Sequence, residues 1–362
     1  MDHQQRFRAP SGKTTEMTRV RALILAVILG TAARSRGTPI MRTPQSVAVP
    51  DGERGIGYDD LQYAPGLERI LVPAGRTGRL VLLDPTTRAI VSIAGFSSAS
   101  SFAGGHGQGT TSAAELPGAD GRIVATDRGS KTLKLVSAKT SSIVGSVKLA
   151  AAPDYVRAVP PTGEVWVTEP AQRQIEVLNV GDKAGGGLVH VSNIAVPDGP
   201  ESLVIDAARG RAYSHTWAGE TFAIDLRARK VGATWRNGCR ESRGIALDAE
   251  RGWLFTGCAE GKATVVDLAT GRMLSTAQTG PDVDSIGYSP TLGHLYVPSG
   301  GSADLSILKV GSDGKLTLLG KVPTAADAHT AAVDPVTNSV FVGAPEHGAL
   351  LVIRDPFPPS SR

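Results

Sequence analysis

The stretch "DAHTAAVDPVTNSVFVGA" (residues 327–344) has the outline of "DVDSIGYSPTLGHLYVPS" (282–299) and "ESRGIALDAERGWLFTGC" (241–258). Each opens on polar residues, runs through a short apolar segment, turns on Pro, Asp or Gly, and ends in a β-rich run. Self-similarity at a fixed period limits the fold more than any other feature of a chain. Seven β-rich runs begin in this way: "RILVPA" at 69, "RIVATD" at 122, "EVWVTE" at 164, "RAYSHT" at 211, "WLFTGC" at 253, "HLYVPS" at 294 and "SVFVGA" at 339. The steps between them are 53, 42, 47, 42, 41 and 45 residues, the size of a propeller blade.

A further strand follows each run, as in "TLKLVS", "QIEVLN" and "ATVVD", then a turn and a fourth strand such as "KVGATW". The seventh unit has no fourth strand. After "ALLVIR" come the prolines of "DPFPPSSR", which do not pair in a sheet. A spare strand, "QSVAVP" (45–50), precedes the first unit. The pattern therefore predicts an all-β fold, a seven-bladed β-propeller of four-stranded blades whose last blade is completed by the N-terminal strand. Closure leaves only short, protected sheet edges. Sparse aromatics (5%) with 43 Gly and 23 Pro suit many short strands and turns, not helices. A chain of 362 residues outgrows one ordinary core unless it is built of repeats.

Residues 1–37 read separately from a single propeller domain over 38–362. Arg19 and Arg21 precede the apolar "ALILAVILGTAA" (22–33), with small residues at Thr31 and Ala33, the pattern of an export signal. Twelve residues as a helix reach about 18 Å, short of the ~30 Å hydrocarbon core. The expectation is a periplasmic or secreted protein, an uncleaved anchor being the alternative. The chain starts at Met1 or Met17. The whole chain is +4 at pH 7, but residues 1–37 hold seven Lys/Arg against two Asp/Glu, which leaves −1 for the rest. A near-neutral domain has no electrostatic footprint for nucleic acid, and no membrane span is expected beyond the signal segment.

"GCRESRGIALDAERGWLFTGC", "ATVVDLATGRMLSTAQTGPDVDSIGYSP" and "HTAAVDPVTNSVFVGA" resemble the bacterial YncE-like, YVTN-repeat propellers over roughly residues 45–355. The resemblance implies an exported seven-bladed propeller. For function it implies little, since related-looking propellers bind ligands or DNA, or carry metal-dependent lactonase, lyase or quinoprotein chemistry.

Ten residues before each second-strand start lie Asp59, Ser112, Asp154, Glu201, Arg243, Asp284 and His329. First strands line the channel of a propeller, so these positions should ring one mouth. Four carboxylates there repel; at 10 Å and an effective dielectric near 20 each pair costs about 1.7 kcal/mol. Pairing with Arg243 and His329, or a cation held by Glu201, Asp284, Asp154, Asp59 and His329, would relieve this. Oxygen donors favour Ca²⁺ or Mg²⁺; no other cofactor is indicated. The longest step carries an insertion, "GFSSASSFAGGHGQGTTSAAE" (95–115), which should lie over the same mouth with His106. Arg76, Arg173, Trp217 and His347 are candidates for its rim.

Cys239 and Cys258 are predicted to pair, because antiparallel strands bring both to one face and export favours oxidation. A Cys/His metal site would need a CxxC or HxxH partner, which the sequence lacks nearby. Two functions fit. One is a monomeric binding or scaffold propeller taking a small ligand, glycan or protein at the mouth. The other is a metal-dependent, lactonase- or esterase-like hydrolase at the acidic centre. Neither a GxSxG elbow nor an HExxH helix supports another hydrolase class.

Overall fold

Seven four-stranded antiparallel sheets form the protein, one per repeat, in a computed structural model that describes residues 43–118, 120–181 and 187–360. The expected export segment at 22–33 lies outside the described residues. The second strands begin where the repeat places them: Arg69–Pro73, Arg122–Asp127, Glu164–Glu169, Arg211–Thr216, Trp253–Cys258, His294–Ser299 and Ser339–Ala344. No α-helix occurs among the described residues, only a 3-10 turn at Pro170–Gln172. No helix among them is long and apolar enough to cross a membrane.

Burial follows strand position and explains the composition of each run. Second strands such as Glu164–Glu169 and Ser339–Ala344 are buried at every residue, because a neighbouring blade covers each face. Fourth strands such as Ser142–Lys148 alternate between exposed and half-buried. Apolar side chains collect in seven seams, one between each pair of adjacent blades. Blades 6 and 7 share Leu305 and Ile307 with Val340 and Val342. Between blades 7 and 1, Phe341, Leu350 and Val352 pack on Ile70, Val72 and Leu83. The seam between blades 4 and 5 is thinner, with Tyr213, Ala223, Leu254 and Leu268 as its buried apolar residues.

The ring closes through the strand Gln45–Ala48. It pairs antiparallel with Ala349–Arg354, Gln45 opposite Val352 and Ala48 opposite Ala349, and becomes the fourth strand of blade 7. Past that strand the chain is latched onto blade 6. Asp355 accepts hydrogen bonds from His294 Nδ1 (2.7 Å) and the Tyr296 hydroxyl (2.6 Å), and the Ser360 amide donates to the Leu292 carbonyl (2.7 Å).

One turn recurs around the ring. Asp84, Asp206, Asp225, Asp248, Asp267 and Asp334 each accept backbone amides two or three residues on. The fourth residue on is left-handed: Arg88, Gly210, Arg229, Gly252, Gly271 and Asn338. Short acidic side chains satisfy the first amides and the left-handed residue reverses the chain. Gly210 isolates the backbone part of this arrangement, since φ is +63° and an added Cβ would meet no atom within 4 Å. Gly210→Ala is expected to destabilise the fold by ~1–2 kcal/mol through φ alone, read as a lower urea midpoint; an unchanged midpoint would show that the left-handed position carries no such constraint. Asp355→Ala strands two buried donors and is expected to cost ~3 kcal/mol, while Leu351→Ala in the adjoining strand separates this latch from general loss of packing. Equal stability of Asp355→Ala and wild type would show that the latch contributes nothing.

Candidate functional site: a lidded, carboxylate-lined mouth

The residues ten positions before each second strand all sit within three residues of the start of an inner strand. Hydroxyl groups bolt these starts together. Thr111 Oγ1 donates to the Asp154 carbonyl (3.1 Å), Ser202 Oγ to the Arg243 carbonyl (2.7 Å) and Thr330 Oγ1 to the Asp59 carbonyl. The last of these crosses the closing seam from blade 7 to blade 1. In each case a side chain on one blade satisfies a backbone acceptor on the next, so the mouth has a fixed perimeter.

The insertion lies over that perimeter and is tied down at both ends. Ala99 N donates to Arg76 O (2.9 Å), Gly75 forms an isolated bridge with Thr110, and Arg128 N donates to Gly109 O (2.8 Å). Gly57 admits it: a Cβ there would run into the Gly105 carbonyl. This places His106 inside the ring. Its Nδ1 lies 2.9 Å from Asp59 Oδ2, its Nε2 3.8 Å from Asp284 Oδ2, and its ring centroid 5.9 Å from that of His329. His329 Nε2 is hydrogen-bonded to the Tyr58 carbonyl (3.2 Å), and the Asp284 and Ser285 amides donate to the His329 carbonyl (3.3 and 3.0 Å).

The other ring residues divide into pairs. Arg128, at the end of the second strand of blade 2, forms an ion pair with Asp154 and comes within 3.7 Å of Asp59. Glu201 accepts the Trp217 indole N–H (2.6 Å) and has Arg243 at 3.8 Å; Arg243 also pairs with Glu241. Ser112 faces a different network. Its hydroxyl contacts Asp60, which Arg157 grips with both guanidinium nitrogens (2.6 and 3.1 Å), and it accepts the Val156 amide (3.0 Å). Among the rim candidates, Arg76 is buried and braces the backbone, donating to Gly55 O (2.7 Å) and Asp51 O (3.0 Å). Trp217 stands 38% exposed beside Glu201.

Burial and charge act against each other here. Burial raises the Asp59 carboxyl, but His106 and Arg128 outweigh it and hold the group below the usual carboxylate range. Asp59 in turn pushes His106 up to about 9, against its burial. Glu201 goes the other way: burial first and Asp284 second push it up to about 8, despite Trp217 and Arg243. Two carboxylate oxygens, Asp59 Oδ1 and Asp284 Oδ2, are buried without a hydrogen-bond partner. Arg128 was not among the residues singled out in the sequence; its signal is its place in "TDRGSK", a second-to-third-strand loop on the mouth side.

Cys239 and Cys258 form a disulfide, with Cα atoms 5.3 Å apart. It lies behind the Glu201–Trp217 side of the mouth, near Asn237, a buried hub. Asn237 Nδ2 donates to Ser242 Oγ (2.8 Å) and Thr221 Oγ1 (3.2 Å), and its Oδ1 accepts the Cys239 amide (3.1 Å). Buried His215 joins through Thr221 (2.9 Å), and burial pushes its imidazole down to about 3, so it serves this seam as a neutral group.

Fold and site together define a seven-bladed β-propeller with one capped mouth lined by carboxylates. No protein-family model matches the chain, and no curated protein matches it. Among solved structures, a chain of the mitotic checkpoint complex superposes with a TM-score of 0.70 at 15% identity, over 93% of this chain and 99% of that one. A chain of hydrazine synthase from Kuenenia stuttgartiensis does so with a TM-score of 0.66 at 13% identity, over 88% and 98%. At such identities the likeness is one of fold.

Glu201 sets a pH dependence. Below its ordinary carboxylate range both folded and unfolded states hold the proton. Between that range and about 8 only the folded state keeps it, and above about 8 the folded state must bury a charge. Stability is therefore expected to fall between pH 5 and pH 8, by on the order of 3 kcal/mol from this group. Urea unfolding at the two pH values should show a steeper loss for wild type than for Glu201→Gln; equal losses would contradict the buried, neutral Glu201.

Proposed function

We propose that the protein is an exported, YncE-like binding propeller that takes a small hydroxyl-rich ligand, the end of a glycan, at the lidded mouth. The observation that carries this reading is Trp217. Its side chain is partly open to solvent while its N–H is held by Glu201, and Arg243 stands on the other side of that carboxylate. A fixed aromatic plane offers the apolar face of a sugar ring a stacking surface at little entropic cost. The Arg243 guanidinium and the Glu201 carboxyl beside it match vicinal hydroxyls, the usual balance of apolar wall and few polar anchors in small-ligand sites. Export is supported by the disulfide, which suits an oxidising compartment, and by the apolar run at 22–33.

The test is a titration of the purified chain with a panel of mono- and oligosaccharides, followed by calorimetry and tryptophan fluorescence. At least one sugar should bind, and Trp217→Ala should weaken it by roughly 10-fold or more with the melting temperature kept within a few degrees. If no sugar binds wild type, or one binds Trp217→Ala equally well, the reading fails.

A further inference from the structure

We infer that His106, Asp284 and His329 form a binding site for a divalent transition metal of the zinc class at the centre of the mouth. The inference is independent of glycan binding at Trp217, since it uses a different set of residues. The three come from three segments far apart in the chain: the lid, the start of blade 6 and the start of blade 7. One donor atom from each lies within 4.8 Å of the other two.

The two imidazoles are held in the way that metal-bound histidines are held. His106 Nδ1 donates to Asp59 Oδ2 at 2.9 Å, so Nε2, on the Asp284 side, is the nitrogen that gives up its proton to a metal. A carbonyl only accepts, so His329 Nε2 carries the hydrogen toward Tyr58 O at 3.2 Å, and the lone pair of that ring stays on Nδ1. A carboxylate or carbonyl on the far nitrogen fixes tautomer and ring orientation at metal centres. The spacing of the donors agrees. His106 Nε2 and Asp284 Oδ2 are 3.8 Å apart, too far for a hydrogen bond. Two bonds of ~2.1 Å to one ion, at tetrahedral or wider angles, hold their donors ~3.4–4.2 Å apart.

An independent observation points to a ligand. Asp284 is 8% exposed, and its Oδ2 has no hydrogen-bond partner. A buried carboxylate oxygen left unpaired is costly, and a cation removes that cost. Asp59, 1% exposed, likewise has Oδ1 unpartnered. The overlapping group of Asp59, His106 and Asp154 is the weaker place for an ion, because the Arg128 guanidinium already pairs with Asp154 and would repel it. Two imidazole nitrogens and one carboxylate oxygen suit zinc and its first-row neighbours, not Ca²⁺, which takes six to eight oxygens. Three protein donors leave a fourth position, and His106, 30% exposed in its side chain, marks the side from which water or a ligand oxygen reaches it.

The competing arrangement is a protonated His106 lying between Asp59 and Asp284 with no ion. Full-length protein, stripped with chelator, is titrated with Zn²⁺ by calorimetry and with Co²⁺ by visible absorption. The expected result is one equivalent of each, with ligand-field bands for Co²⁺. His106→Gln, His329→Gln and Asp284→Asn should each weaken binding 10-fold or more, and His190→Gln, a surface histidine paired with Glu176, should leave it unchanged. Absence of stoichiometric binding, or undiminished binding in the three site variants, overturns the inference. Should the variants fail to fold, wild-type crystals soaked in Zn²⁺ decide. An anomalous peak between His106, Asp284 and His329 supports the site, and a peak only elsewhere, or none, overturns it.

Discussion

Closure of the ring is the constraint on which every other feature rests. Gln45–Ala48 has no sheet of its own; its ladder partner is Ala349–Arg354. That pairing completes blade 7, and blade 7 supplies the far wall of the seam to blade 1. The contacts that bring His329 to Tyr58 and Thr330 to Asp59 each span 271 residues and exist only because the two ends of the propeller meet. The mouth is thus a product of topology before it is a product of side-chain chemistry. Without closure, the inner strands would still form hairpins, but their starts would not face one another.

Within that frame, four carboxylates occupy a largely buried perimeter, and the protein resolves their repulsion locally. Asp154 is met by Arg128, and Glu201 by Trp217 and Arg243. Asp59 is met by His106, which the lid delivers from above. The outcomes differ because the partners differ. A nearby cation keeps Asp59 ionised, whereas Glu201, with Asp284 close by and burial dominating, holds its proton toward neutral pH. Mutual charge relief leaves Asp284 as the carboxylate least served by the protein's own groups.

The fold was legible in the sequence because each blade writes the same signal: a turn built on Pro, Asp or Gly followed by a strand buried on both faces. Second-strand starts fall on the predicted residues, and the spare N-terminal strand sits where the missing fourth strand required it. The site was legible as a set of backbone positions, not as a set of contacts. A constant offset of ten residues locates the start of an inner strand, yet the strands begin from three residues after that position to one before it. Side chains at equal offsets therefore point differently, and Ser112 turns to Asp60 while Asp59 meets His106. Arg128 depends on how the lid seats, and the buried Arg76 on the carbonyls of Gly55 and Asp51; both are long-range contacts that local pattern does not encode.

The cystine beside the mouth ties the redox state of the surroundings to the shape of the rim. Cys239 lies on the segment whose Asn237 amide donates to Gly219 O (3.0 Å) and whose Ser242 amide donates to Trp217 O (3.1 Å). Those two bonds shape the turn that carries the indole. With the cross-link to Cys258 in place, the segment is anchored to the blade core. Reduction frees one end of that anchor, so thiol chemistry in the medium reaches the turn that presents the aromatic ring.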